Sequence, residues 1–281
     1  FKRFAADKHS HLLAMQVSIK AVNFSGKLHI DSFLDARFGD AENAIQKNAV
    51  HDPRLSPTIR HNPWEHEADI NSEDNIRGLI SKLPNSGFQV ASACTHKLSH
   101  GNTEDSINHQ QSHQRDHRES HQRDHRESHQ ESHLIQESFT LDVHEQQSVD
   151  IEKMVAFVAS QSSSTETLNN QVMEALKYAS STGYAALYEE QLASLETFWR
   201  DSYVDIGDNL ELSSAMRFNM LQLLQSVGRD GKTSLSAKGQ TGEGYEGHYF
   251  WDAEILGLPF FSFSKPETVI SALTLSASIL A

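Results

Sequence analysis

Strict alternation of apolar and polar positions marks the first half of the chain. Leu13, Met15, Val17, Ile19 and Ala21 alternate with Ala14, Gln16, Ser18 and Lys20, the period-two pattern of a half-buried strand. Ser25-Gly26 supplies a turn, and Leu28 and Ile30 resume the alternation, so Leu13 to Ser32 is predicted to be a hairpin. Phe88-Gln-Val-Ala-Ser-Ala-Cys94 forms a further strand. Phe139, Leu141 and Val143 form another, and after a polar turn at Glu145 to Ser148 a strand carries Val149 and Ile151 through Val158. Near Ser160 the period changes to that of a helix. Ser162-Ser-Ser-Thr165 ahead of Glu166 offers an N-cap and a first-turn acid. Leu168, Val172, Ala175, Leu176 and Ala179 then follow at helical spacing. Thr182-Gly183 breaks the run, and a second helix lines up Leu187, Tyr188, Gln191, Leu192, Leu195, Phe198 and Trp199. A third spans about Leu210 to Ser226, with Leu212, Met216, Met220, Leu223 and Leu224 inward. Strands first and helices afterwards predict a β domain followed by an α domain.

One segment interrupts this picture. Histidine recurs at every fourth position from His109 to His133, and the unit Ser-His-Gln-Arg-Asp-His-Arg-Glu occurs at Ser112 and again at Ser120. Between Gln110 and His133 there is no aliphatic or aromatic side chain, so nothing can be buried there to offset the ordering entropy of ~1–2 kcal/mol per residue. The segment reads as a disordered insertion at about 102–135, inside one antiparallel β-sandwich because strands flank it on both sides. Histidines four apart on a helix can share a metal ion. A polar helix without a packed face is marginal in water, however, so the reading is a solvated low-complexity insertion and no metal site.

Composition narrows the function. The net charge of the 281 residues is −14, which disfavours nucleic acid and anionic membrane as partners, since both need a basic surface. The single cysteine, Cys94, excludes a disulfide scaffold and favours a cytoplasmic setting; in a strand it reads as a small buried hydrophobe. No apolar run reaches the ~18 residues of a membrane span. The chain starts at Phe1 and stops at Ala281 within apparent structure, which reads as an internal fragment.

The richest chemistry lies in Lys238-Gly-Gln-Thr-Gly-Glu-Gly-Tyr-Glu-Gly-His-Tyr-Phe-Trp-Asp-Ala-Glu254. Glycines 239, 242, 244 and 247 allow a backbone to approach a ligand closely. The run ends in Tyr249-Phe250-Trp251 joined to Asp252 and Glu254. Aromatic rings stack on the C–H faces of sugars while carboxylates accept from hydroxyls, so the combination suits carbohydrate binding. A structural turn fits the same residues. A dinucleotide reading is weak, because no strand-to-helix phosphate turn is evident.

These residues resemble a motif of glycoside hydrolase family 65, which holds maltose, trehalose, kojibiose and nigerose phosphorylases together with acid trehalases. The bacterial phosphorylase wording is Lys-Gly-Leu-Thr-Gly-Glu-Gly-Tyr-x-Gly-His-x-Phe-Trp-Asp-x-Glu, and this chain departs only at Gln240. Asn23-Phe24-Ser25-Gly26, Val149-Asp-Ile-Glu-Lys-Met-Val155, Trp199 with Asp205-Ile-Gly-Asp208, and Arg217 to Gln225 look like further family segments. The histidine repeat has no counterpart in the family.

The resemblance implies an incomplete antiparallel β-sandwich over 1–160, a helical linker over 161–200 and, over 201–281, the truncated start of an (α/α)6 barrel. It implies an inverting α-glucoside phosphorylase that converts a disaccharide and inorganic phosphate, its co-substrate, into β-glucose 1-phosphate with no metal or organic cofactor. Trp251 would pack against the glucose ring and Asp252 would accept from its hydroxyls. His248, Phe250 and Glu254 rank behind them as substrate-binding residues. The family's general-acid glutamate and phosphate loop lie beyond Ala281, so no catalytic residue is assigned within this chain and the chain alone is expected to be inactive. Homodimers are frequent in the family. An acid trehalase-like hydrolase, a non-catalytic carbohydrate-binding β-sandwich module and a histidine-rich metal-binding protein are the rivals. Arg217 and Arg229 read as capping or ion-pairing residues, and Asp205, Asp208 and Glu211 as a solvated loop and helix start, with sugar contact the alternative.

Overall fold

The computed structural model describes residues 1–36, 64–100, 133–237, 239 and 248–280. The histidine repeat up to residue 132 and most of the glycine-rich run, Lys238 and Gln240–Gly247, lie outside them. Eight strands precede the helices: β1 (Lys2–Ala5), β2 (Leu12–Lys20), β3 (Gly26–Asp35), β4 (Glu65–Asn71), β5 (Arg77–Lys82), β6 (Gln89–His100), β7 (Leu134–Val143) and β8 (Ser148–Ser160). Helix α1 (Thr165–Ser202), α2 (Leu210–Ser226), a π-turn at Ala253–Gly257, α3 (Leu258–Ser264) and α4 (Pro266–Leu280) follow. The β-then-α order is the one the periodicities predict. The described residues fall into two compact units, one through Leu192 and one from Ala193 onward.

The first unit holds a six-stranded antiparallel sheet of order β1-β2-β8-β6-β5-β4 and a two-stranded sheet of β3 and β7. The alternation of β8 sorts its side chains between two cores. Met154, Ala156 and Val158 face helix α1, against Leu168, Val172, Leu176, Ala179, Tyr184 and Leu187. Val149 and Ile151 face the small sheet and meet Phe139, Leu141 and Val143. The early part of α1 is therefore a covering layer of the sheet. Gly78 shows how close the strands of the large sheet pack: a Cβ there would lie 2.3 Å from the Ser92 carbonyl oxygen and 2.4 Å from the Ala93 Cβ.

The expected hairpin from Leu13 to Ser32 is not one. β2 pairs with β1 and β8 in the large sheet, whereas β3 pairs with β7 in the small one. The chain crosses between sheets at Ala21–Ser25, and the polar turn after Val143 crosses back. The two crossings are tied together: the Ala21 amide donates to the Gln147 carbonyl at 2.9 Å, the Gln146 amide to the Ala21 carbonyl at 2.6 Å, and the Glu145 amide to Ser25 Oγ at 2.8 Å. Alternation places Leu28 and Ile30 correctly on an inward face, but that face lies opposite Val17 and Ile19 within one apolar cluster rather than beside them. The insertion's expected end also moves. His133 is buried, and Leu134 and Ile135, two aliphatic side chains whose packing helps repay the entropy of ordering the strand, open β7 paired with Asp35 and Leu34.

Helix α1 starts where its cap predicts, with the Thr167 amide donating to Ser164 Oγ at 3.2 Å. The break at Gly183 is a single residue at φ 79°, ψ 160°, a region of backbone space essentially reserved for glycine. Helix α2 has the expected bounds, capped by Asn209 Oδ1 accepting from the Leu212 amide at 3.0 Å. Met220 and Leu224 are buried as expected and Met216 and Leu223 pack against the same cluster, but Leu212, in the first turn, is exposed.

Candidate functional site

The glucose-site candidates sit in the second unit, between α2 and α3. Helix α2 closes on Val227, and Arg229 Nη2 donates to the Leu224 carbonyl at 2.9 Å, the capping role expected of it. Asp230 then organises the next turn, accepting from the amides of Lys232 and Thr233 and from Thr233 Oγ1 at 2.7–2.9 Å. Burial pushes its carboxyl pKa up, but these donors outweigh burial and hold it below the usual aspartate value. Gly231 donates its amide to Ser271 Oγ on α4 at 2.8 Å, so the segment leading to the glycine run is fixed to the helical layer.

The residues after the run wind directly into helix. The Ala253 amide donates to the Phe250 carbonyl at 3.1 Å and the Ile255 amide to the Trp251 carbonyl at 3.0 Å. Ala253, Gly257, Leu258 and Phe261 point inward, and Phe261 is completely buried against Phe198, Met220 and Leu224. That anchoring leaves Trp251 and Asp252 outside: Trp251 is 70% exposed and Asp252 is exposed beside it. Tyr249 and Phe250 are each about half covered, and His248 is exposed. Glu254 is turned elsewhere, its Oε1 accepting from Ser276 Oγ on α4 at 2.9 Å. The five candidate residues thus fall into an outward group of His248, Phe250, Trp251 and Asp252, and a helix-bound Glu254.

The remaining sequence candidates separate by environment. Trp199, Tyr203, Met216 and Arg217 line a shallow hollow where the end of α1 meets α2. Asp205 closes its own turn by accepting from the Gly207 amide at 2.9 Å, which favours the solvated-loop reading. Cys94 is buried, as expected, and burial pushes its thiol pKa up to about 12 against the lowering influence of Lys153. It is not an isolated apolar residue, however. His96 and Glu137 stand next to it, and neither stood out in the sequence. Cys94-x-His96 on an alternating strand was the available signal for two of them; Glu137, on another strand, gave none.

Comparison with known proteins bears on the whole chain. Residues 1–198 match the family model described as "Glycosyl hydrolase family 65, N-terminal domain". The chain belongs to glycosyl hydrolase family 65. Residues 217–280 match the model of the "Glycosyl hydrolase family 65 central catalytic domain", which contains the outward Trp251 and Asp252. Among the family's members, an alpha,alpha-trehalose phosphorylase of Thermoanaerobacter brockii is 30% identical over 95% of this chain and 31% of its own length. The corresponding enzyme of Geobacillus stearothermophilus is 27% identical over 100% of this chain and 32% of its own. A kojibiose phosphorylase of Caldanaerobacter subterraneus is 35% identical over 43% of this chain and 16% of its own length. A solved structure described as "Putative kojibiose phosphorylase from human microbiome" has the same fold, with a TM-score of 0.71 at 17% identity over 97% of this chain and 31% of that one. The chain thus spans about a third of the full-length trehalose phosphorylases it matches.

Proposed function

We propose that this chain is a fragment of an inverting disaccharide phosphorylase of family 65, and that Trp251 and Asp252 hold the glucose unit whose bond is cleaved. The division is a β-sandwich domain over 1–160, a helical linker over 161–200 and the opening of the catalytic (α/α)6 barrel over 201–281. The observation that carries the site is the contrast around Ala253: Ala253, Gly257, Leu258 and Phe261 anchor this turn in the helical core, while the indole and carboxylate just before it are presented outward. A ring held that way can cover the C–H face of a pyranose, and the adjacent carboxylate can accept from two of its hydroxyls.

The chemistry asks this part of the enzyme to position rather than to transfer protons. In an inverting displacement the nucleophile approaches the anomeric carbon on the face opposite the leaving oxygen, and inorganic phosphate takes the place that a base-activated water holds in a hydrolase. A general acid must protonate the leaving oxygen, and no residue of this chain is assigned that role. Trp251 and Asp252 fix the ring so that both events share one axis, a contribution of orientation. His248 and Phe250 extend the same surface; Glu254 shapes it from behind through its contact with Ser276.

The test is phosphorolysis by the complete enzyme that contains this chain, assayed for glucose 1-phosphate with trehalose, kojibiose and maltose. Trp251→Ala is expected to lower kcat/KM about 100-fold with the fold intact, because the side chain is exposed, while Trp251→Phe restores part of the loss. Asp252→Asn is expected to cost 10- to 100-fold, about 1.5–3 kcal/mol for a hydrogen bond to a charged group. Glucose release that needs no phosphate would instead indicate a trehalase-like hydrolase. Wild-type kcat/KM in both variants would remove these residues from the site.

A further inference from the structure

A cluster that the glucose site does not use lies between the two sheets of the first unit. Cys94 and His96, two apart on β6, share the face turned toward the small sheet, and Glu137 meets them from β7. Glu137 Oε2 lies 4.0 Å from Cys94 Sγ and 2.6 Å from His96 Nδ1, and the three donor atoms all lie within 4.8 Å of one another. Cys94 is 1% exposed, and the side chains of His96 and Glu137 are 3% and 16% exposed.

The arrangement has features of a ligand set. Sulfur, imidazole nitrogen and carboxylate oxygen are the donors that zinc-type ions take together. His96 Nδ1 is buried and makes no aligned hydrogen bond despite the nearby carboxylate, so nitrogen and oxygen converge without satisfying each other. The other ring nitrogen is held from behind: Nε2 lies 2.8 Å from Ser32 Oγ, which Lys153 Nζ fixes by donating to it at 2.9 Å and to the Phe33 carbonyl at 2.7 Å. That is the outer support by which a metal-binding imidazole is oriented. Ser32 pairs with Glu137 across the small sheet, and His96 pairs with Lys153 across the large one, so both sheets contribute to the site and its support.

We infer that Cys94, His96 and Glu137 bind one divalent transition-metal ion of the zinc type, which clips the small sheet onto the large one. Bonds of about 2.0–2.1 Å to nitrogen and oxygen and about 2.3 Å to sulfur separate tetrahedral ligand atoms by roughly 3.3–3.6 Å. The Glu137 carboxylate therefore turns away from Nδ1 by roughly 1 Å as the ion enters. It is the most exposed of the three side chains, so the ion and a completing water approach from its side. Without an ion, the same residues form a polar chain from Lys153 through Ser32 and His96 to Glu137.

Cobalt(II) distinguishes the two states. Cys94 is the only cysteine of the 281 residues, so a near-ultraviolet thiolate-to-cobalt charge-transfer band can arise only there, whereas histidines of the repeat give none. Titration of the chain is expected to show this band saturating at one equivalent and displaced by zinc. Cys94→Ser should abolish it, and Glu137→Gln and His96→Gln should each weaken cobalt binding at the band at least tenfold while far-ultraviolet circular dichroism stays unchanged. No band at any cobalt excess, or a band equally strong in Glu137→Gln and His96→Gln, would overturn the site. The Gln variants keep the test decisive if Cys94→Ser fails to fold.

Discussion

The sheet unit and the helical unit cover their apolar residues differently. In the first, the large sheet is clad on one face by α1 and on the other by the small sheet, and Ile70, Ile76, Leu79, Ile80, Leu168, Leu176 and Leu187 are all essentially inaccessible. In the second, one cluster around Phe261 is dry, yet Leu210, Phe218, Ile255, Leu256, Phe263 and Ile270 stand outside, Phe263 at 90% exposure. Exposed apolar residues in such number on a small helical layer mark a surface that another element covers. Under the proposed reading that element is the remainder of the (α/α)6 barrel. A layered sheet can close its own core; a few helices of a toroid cannot.

That contrast can be broken most forcefully at the two core centres. Phe261→Ala removes the largest buried side chain of the helical cluster and is expected to cost about 3–5 kcal/mol, while Leu176→Ala beneath the sheet is expected to cost about 2–5 kcal/mol. Thermal unfolding followed separately by circular dichroism and by near-ultraviolet signals should show Phe261→Ala unfolding the helical unit while the sheet transition holds. Simultaneous loss of both transitions would mean that the units share one cooperative core.

A smaller effect is expected inside α1. Gly183→Ala meets no neighbouring atom within 4 Å, so its cost is purely that of holding alanine at φ 79°, about 1–3 kcal/mol. A change below about 0.5 kcal/mol in urea melts would show that the helix can straighten through the break. Smaller again is Asp230, whose exposed turn limits its hydrogen bonds to about 1 kcal/mol. Its folded carboxyl titrates below the ordinary value, so the stability it gives is complete above the unfolded aspartate range of about 3.9 and is lost as pH falls through the folded value. Asp230→Asn should flatten that acid limb of the helical transition and lower its stability at neutral pH by up to about 1 kcal/mol.

The smallest effect separates exposed from covered most sharply. Phe263→Ser should change the stability of this chain by less than about 0.5 kcal/mol, yet destabilise the complete enzyme if later helices pack on it. Equal behaviour in both would leave the exposed row without a covering element.

How far the residues announced this structure depends on whether the signal was local. Helix α2 was legible because its inward Met220 and Leu224 recur at helical spacing within one segment; its cap, Asn209, was seen only in the structure. The short β1, β4 and β5 lack a clear alternation and were not read from the sequence, whereas β2, β3, β6, β7 and β8 were legible as strands for the same local reason. Their partners were not: β2 and β3 alternate as hairpin strands do, and only long-range pairing with β8 and β7 sends them to different sheets. Trp251 and Asp252 were singled out by motif, but their outward presentation follows from the burial of Ala253, Leu258 and Phe261, which a linear pattern leaves undetermined. Glu137 beside His96 is the extreme case, joined to it only through the meeting of two sheets.

The most direct measurement is a crystal structure of the complete enzyme soaked with glucose. The expected result is a pyranose lying flat against the Trp251 indole, with Asp252 carboxylate oxygens within hydrogen-bond distance of two sugar hydroxyls. Glucose bound elsewhere, with the indole folded into the barrel interior and Asp252 turned to solvent, would contradict it.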